Sequence, residues 1–162
     1  MRKSYVVFCV FVFLLSCKKS KLDGELSQLQ GKWQWIGSIS YTESIGSIGG
    51  GQVTVDFVNA SQFNDKYFIE FERKGYLTYT INDQKVEDYR LVLSISNDDC
   101  GYYDDCRYAS FHLNNNEDDQ LAVFYSADSL TLGSGVSNHI PLQTYEGAYF
   151  RTTYSHQFVR IN

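Results

Sequence analysis

Apolar residues recur at every second position along most of this chain, and that period decides what it can fold into. Tyr67, Ile69 and Phe71 alternate with Glu70 and Glu72, and Leu77, Tyr79 and Ile81 alternate with Thr78 and Thr80. Tyr89, Leu91, Leu93 and Ile95 alternate with Arg90 and Ser94, and Ala109, Phe111 and Leu113 with Ser110 and His112. Leu121, Val123 and Tyr125 follow, then Leu130 and Leu132, a stretch near 145–151, and Ser155 to Ile161. In Val53 to Phe57 the apolar residues also fall on one side. A strand sends successive side chains to opposite faces, so a period of two marks half-buried antiparallel strands. Lys74-Gly75, Asn82-Asp83, Asn97 to Gly101, Asn114 to Asp119, Ala127-Asp128 and Gly133 to Gly135 separate the runs at short intervals. That punctuation indicates a sandwich or a barrel. Only Asp23 to Gln30 reads as a helix, one or two turns with Leu22, Leu26 and Leu29 at helical spacing. Parallel strands need crossover segments, usually helices, and the chain offers none. Thirteen Tyr, eleven Phe and a single proline, Pro141, fit the same strand-rich reading.

The N-terminus carries a different signal. Arg2 and Lys3 precede an unbroken apolar run from Tyr5 to Leu15, and Leu14-Leu15-Ser16-Cys17 closes it. A charged start, an apolar run of this length and a small residue before the cut describe a secretory signal. Eleven apolar residues are too few to span a bilayer, which takes about 20. The cysteine directly after the small residue makes this resemble the lipobox of bacterial lipoproteins, which implies lipidation of Cys17 at a new N-terminus. The ordinary alternative is a signal peptide cut nearby. One buried acyl chain binds marginally and two or more anchor stably, at about 0.8 kcal/mol per CH₂. The expected organisation is a signal peptide at 1–16, a lipidated cysteine and linker at 17–22, and one barrel domain at 23–162. Without Arg2 and Lys3, 12 basic residues stand against 19 acidic ones, a net charge of −7. That balance does not suit nucleic acid, whose phosphates need clustered Lys and Arg.

A short helical turn ending in Gly31-Lys32-Trp33, at the start of the first strand, resembles the G-x-W entry motif of lipocalins. In that family the tryptophan closes the floor of an eight-stranded up-and-down barrel, and an arginine near the end of the last strand packs over it. The resemblance implies that Gly31, Trp33 and Arg160 form the barrel floor here. The layout is similar to lipocalin-like lipoproteins of Bacteroidetes, and the fold expected is an all-β, antiparallel up-and-down barrel of about eight strands with a short N-terminal helix. The physical alternative for Trp33 and Trp35 is core packing, because two residues apart on a strand they share a face.

Cys100 and Cys106 flank a five-residue segment, and in an exported protein so close a pair is expected to form a disulfide. The redox alternative usually takes the form C-x-x-C at a helix N-terminus, which the spacing does not match. His112, His139 and His156 are scattered, with no metal-ligand spacing, and alternation places His112 on a polar face. The clusters Asp98-Asp99, Asp104-Asp105 and Glu117-Asp118-Asp119 could offer oxygens to calcium but match no calcium loop and read first as solvated charge. No nucleophile elbow or phosphate loop occurs, so no catalytic residue, metal or cofactor is assigned.

Two functions are then open. In the first, the barrel holds a small, hydrophobic ligand, lined by Tyr67, Phe71, Tyr79, Tyr89 and Phe111. In the second, the barrel is packed solid and works as a structural or interaction protein, its acidic disulfide loop meeting another envelope protein as small periplasmic lysozyme inhibitors do. Both place a monomer at the bacterial cell envelope, membrane-held through its lipid anchor, with the outer membrane favoured over the inner.

Overall fold

A computed structural model of the protein describes residues 22–44, 53–97, 107–133, 139–142, 145–146 and 150–161. Cys17, Cys100 and Cys106 lie outside them. The strands in chain order are β1 (Gly31–Ser44), β2 (Val53–Asn59), β3 (Tyr67–Glu72), β4 (Tyr76–Ile81), β5 (Gln84–Asn97), β6 (Arg107–Leu113), β7 (Asn116–Tyr125), β8 (Ser129–Leu132), β9 (Tyr145–Glu146) and β10 (Phe150–Ile161). All pairings are antiparallel, and the sheet order β1-β3-β4-β5-β6-β7-β8-β10 closes on itself because β10 also pairs with β1. The result is an eight-stranded closed barrel. β2 and the two-residue β9 are extra: β2 takes over the edge of β1 beyond Gln34, where β3 leaves it, and β9 extends the edge of β10.

Local chemistry sets the joints. Ile81 pairs with Gln84 and Leu113 with Asn116, so each hairpin has a two-residue loop. Asn82, Asp83, Asn114 and Asn115 all adopt positive φ, between 50° and 64°. Such loops match the twist of the flanking strands, and Asn and Asp tolerate that backbone best after glycine. The expected helix at Asp23 to Gln30 is a 3₁₀ helix, Gly24–Leu29, whose only buried residues are Leu26 and Leu29. Two apolar anchors over six residues favour the tighter winding in so short a piece.

Alternation sets the core. Ile69, Phe71, Leu77, Tyr79, Leu91, Phe111, Leu113, Leu121, Val123, Leu130, Leu132 and Phe158 all point inward with Trp33 and Trp35. A bulge between Trp35 and Gly37 resets the alternation of β1, so Ser38 and Ser40 continue the inward row above the tryptophans. Gly37 is required there: a Cβ would lie 2.5 Å from the Phe57 ring and 2.5 Å from the Val58 carbonyl oxygen.

Two stretches depart from the alternation reading. The apolar row of β2 faces solvent, with Val53, Val55 and Phe57 60, 55 and 53 % exposed, because β2 lies outside the barrel wall. Leu93 and Ile95 are exposed as well. β5 carries a bulge between them and runs on beyond β4, whose pairing stops at Tyr76 opposite Arg90.

Candidate functional site

The barrel has two unlike ends. At the lower end the 3₁₀ helix lies across the opening, with Leu22, Leu26 and Leu29 buried beneath it. The Arg160 guanidinium sits 4.1 Å from the Trp33 ring. Its Nη1 donates to the Gln30 carbonyl at 2.6 Å, its Nε to Ala127 at 2.9 Å, and its Nη2 to Gln28. Trp33 Nε1 donates to the Leu29 carbonyl at 2.9 Å. The last carbonyls of a helix have no partner within it, and here Arg160 and Trp33 supply several. Gly31, at φ 119°, lets the chain turn directly beneath: a Cβ there would meet Arg160 Nη1 at 3.0 Å. This end is a sealed floor.

The middle is solid. Phe71 and Phe111 are 1 and 0 % exposed, and Leu77, Leu91, Leu121 and Val123 are equally buried. Phe71, opposite Gly31 in register, and Phe111 belong to this packed middle; Trp35, Tyr79, Ser38 and His156 above them are 0–3 % exposed as well.

The upper end is different in kind. Trp35 meets Phe63 and Tyr67 there, at centroid distances of 5.4 and 5.5 Å. Tyr79 and Tyr89 stand edge to face at 5.8 Å. Burial raises the Tyr67 hydroxyl above its ordinary range, with Asp65 adding to the effect, and burial also raises Tyr79 and Tyr89. All three stay neutral hydrogen-bonding groups. Glu87, opposite Tyr79 in register, sits on the rim. Its Oε2 accepts from the Tyr89 hydroxyl at 2.6 Å and lies 2.8 Å from His139 Nε2. The Tyr89 bond is the main cause that holds the Glu87 carboxyl below its usual range, with His139 contributing. Over this end lies the segment His139 to Leu142, with Ile140 buried in the core and Leu142 packed against it.

Facing these rings is a polar wall. Trp35 Nε1 donates to Ser38 Oγ at 3.0 Å, and Ser38 Oγ lies 2.7 Å from His156 Nδ1. The direction of the Ser38–Nδ1 bond follows the imidazole tautomer, because the serine oxygen can accept a second bond or donate its own proton. His156 is 2 % exposed, and burial depresses its pKa to about 4. So weak a base cannot draw a proton from Ser38 near neutral pH, and the pair orients rather than activates. Thr42 and Thr152 continue the wall with a mutual hydrogen bond at 3.1 Å.

Of the five aromatics assigned to a lining, Tyr67, Tyr79 and Tyr89 gather at the upper end, while Phe71 and Phe111 do not. Ser38, Glu87, His139 and His156 were not assigned from the sequence. Their partners lie 52 and 118 positions apart, and no local spacing announces them. His112 lies on the outer face, half-buried, with its Nδ1 unpartnered among the described residues. Among the described residues no group of three or more His, Cys, Asp or Glu could hold a metal ion. No protein family, curated protein or solved structure matches this chain.

Proposed function

We propose that this is an exported, lipid-anchored envelope protein whose barrel binds a small, largely apolar ligand at its upper end. The observation that carries the reading is the contrast between the ends. The lower end is closed by hydrogen-bonded structure, whereas over the aromatic and hydroxyl-lined upper end the described residues include the short segment His139 to Leu142. Small-molecule sites are mostly apolar, with a few placed polar groups, and favour the mouths of barrels. Trp35, Tyr67, Tyr79 and Tyr89 supply the first, and Ser38 and His156 the second. The anchor reading rests on Arg2, Lys3, the run to Leu15 and Cys17. It places the protein on the cell envelope, with the outer membrane favoured, and the resemblance to lipocalin-like lipoproteins supports the same role. Native mass spectrometry of protein purified from its own membrane tests both parts. A retained small molecule and a diacylglyceryl mass on Cys17 are expected. A bare barrel with an unmodified N-terminus would refute the proposal.

One observation favours a second reading, a packed barrel serving as an interaction protein. Val53, Val55 and Phe57 form an outward apolar row on a strand outside the barrel wall, and exposed apolar patches often mark contact sites. Ligand-free barrels that co-purify with one stoichiometric envelope protein would support it.

A further inference from the structure

The segment over the upper end shows what kind of ligand the mouth prefers. His139 points its Nε2 at Glu87 Oε2, 2.8 Å away, with its ring 5.1 Å from that of Tyr79. Tyr89 donates to the same carboxylate oxygen and meets Tyr79 edge to face. A carboxylate beside two phenol rings is an environment for a cationic nitrogen, combining charge with the negative face of the ring. The residue after His139 is Ile140, a branched apolar side chain 2 % exposed inside the barrel. The segment therefore presents a basic nitrogen to the rim and an apolar group to the interior, the layout of an amphipathic amine.

We propose that the Tyr79, Tyr89 and Glu87 niche is a binding site for an organic ammonium group carrying an apolar tail, with His139 and Ile140 as its built-in occupants. This rests on the reading of the upper end as a ligand site and names the ligand class. Among the described residues the segment is held by side-chain contacts, of His139 with Glu87 and Tyr79 and of Ile140 with the core, and these are the contacts an arriving ligand would replace. The segment's one backbone hydrogen bond among the described residues, Leu142 N to the Ile140 carbonyl at 2.7 Å, is internal to it. An arriving ammonium replaces His139 on Glu87, and its tail takes the place of Ile140. Asp119, close enough to bear on the Tyr89 hydroxyl, adds negative charge at the same rim. The acidic balance of the chain draws cations towards it. A carboxylate-headed chain would meet Glu87 head on, and like charges at close quarters are excluded.

The test uses three eight-carbon probes on the mature protein, octyltrimethylammonium, 1-octanol and octanoate, by titration calorimetry below their micellar concentrations. The ammonium is expected to bind at least tenfold more tightly than octanol, and octanoate most weakly. Glu87→Gln, its fold checked by near-ultraviolet circular dichroism, should bring the ammonium to within about twofold of octanol. His139→Gln should tighten ammonium binding several-fold by removing the internal competitor. Equal binding of ammonium and octanol, or a preference that survives Glu87→Gln, overturns the inference and leaves the ligand reading standing. No binding of any probe, to the protein or to His139→Gln, removes both.

Discussion

The buried His156 makes stability depend on pH in a direction and window that the structure fixes. Burial lowers its folded pKa from the ordinary 6.5 to about 4. The unfolded chain therefore binds a proton in a range where the folded protein does not, so stability rises with pH between about 4 and 6.5 and is fully present above it. At about 1.36 kcal/mol per pH unit, the interval between these two values amounts to roughly 3 kcal/mol over the whole window. Between pH 7 and pH 4.5 about 2.4 kcal/mol of it is lost. Carboxylates begin to protonate at the lower limit, so the useful quantity is the difference between wild type and His156→Gln, which retains a hydrogen-bonding side chain but does not titrate. Urea unfolding at a series of pH values gives both curves. The wild type should lose about 2 kcal/mol more than the variant on going from pH 7 to pH 4.5. Parallel curves would mean that His156 is solvated in the folded protein, and the Trp35–Ser38–His156 chain would have to be abandoned with it.

Phe111→Ala should cost about 3–5 kcal/mol, because the removed ring leaves a cavity in a fully covered core; the urea midpoint should fall with the slope unchanged. Arg160→Ala should cost about 2 kcal/mol, from the lost contact with the Trp33 ring and the carbonyls left behind, and should raise amide exchange in Gly24–Leu29 above that of the barrel strands. Asn115→Ala should cost about 1 kcal/mol in thermal or urea unfolding because the position holds φ at 62°, while Asn115→Gly should cost nothing.

Much of the barrel was legible in the sequence for one reason. A period of two survives any register, so the inward rows of β3, β4, β6, β7 and β8 could be read directly from Tyr67 to Leu132. The same rule could not say which side of β2 meets the core. Period two defines two faces, and which one is covered depends on β2 lying outside the wall. Bulges are equally invisible. The one in β1 turns Ser38 inward above the tryptophans, and the length by which β5 outruns β4, which leaves Leu93 and Ile95 exposed, is no more visible. The floor was expected from the resemblance of Gly31-Lys32-Trp33 and Arg160 to a known entry pattern, and alternation alone does not announce it. The site was less legible. Glu87 reads as one more polar residue in a strand, and His139 as a lone histidine beside the only proline. Their contact is created by the closure of the barrel, which no local pattern encodes.

The claim on which this account turns is that the interior is solid below and receptive above. Methyl NMR of isoleucine and leucine with 1-octanol as the probe addresses it directly, because Ile140 and Ile81 lie at the upper end, Leu130 in the packed lower interior and Ile95 on the outer wall. Saturable shifts at Ile140 and Ile81, with Leu130 and Ile95 unmoved, are the predicted result. Shifts centred on Leu130 or Ile95, or none at any of the four, would contradict it.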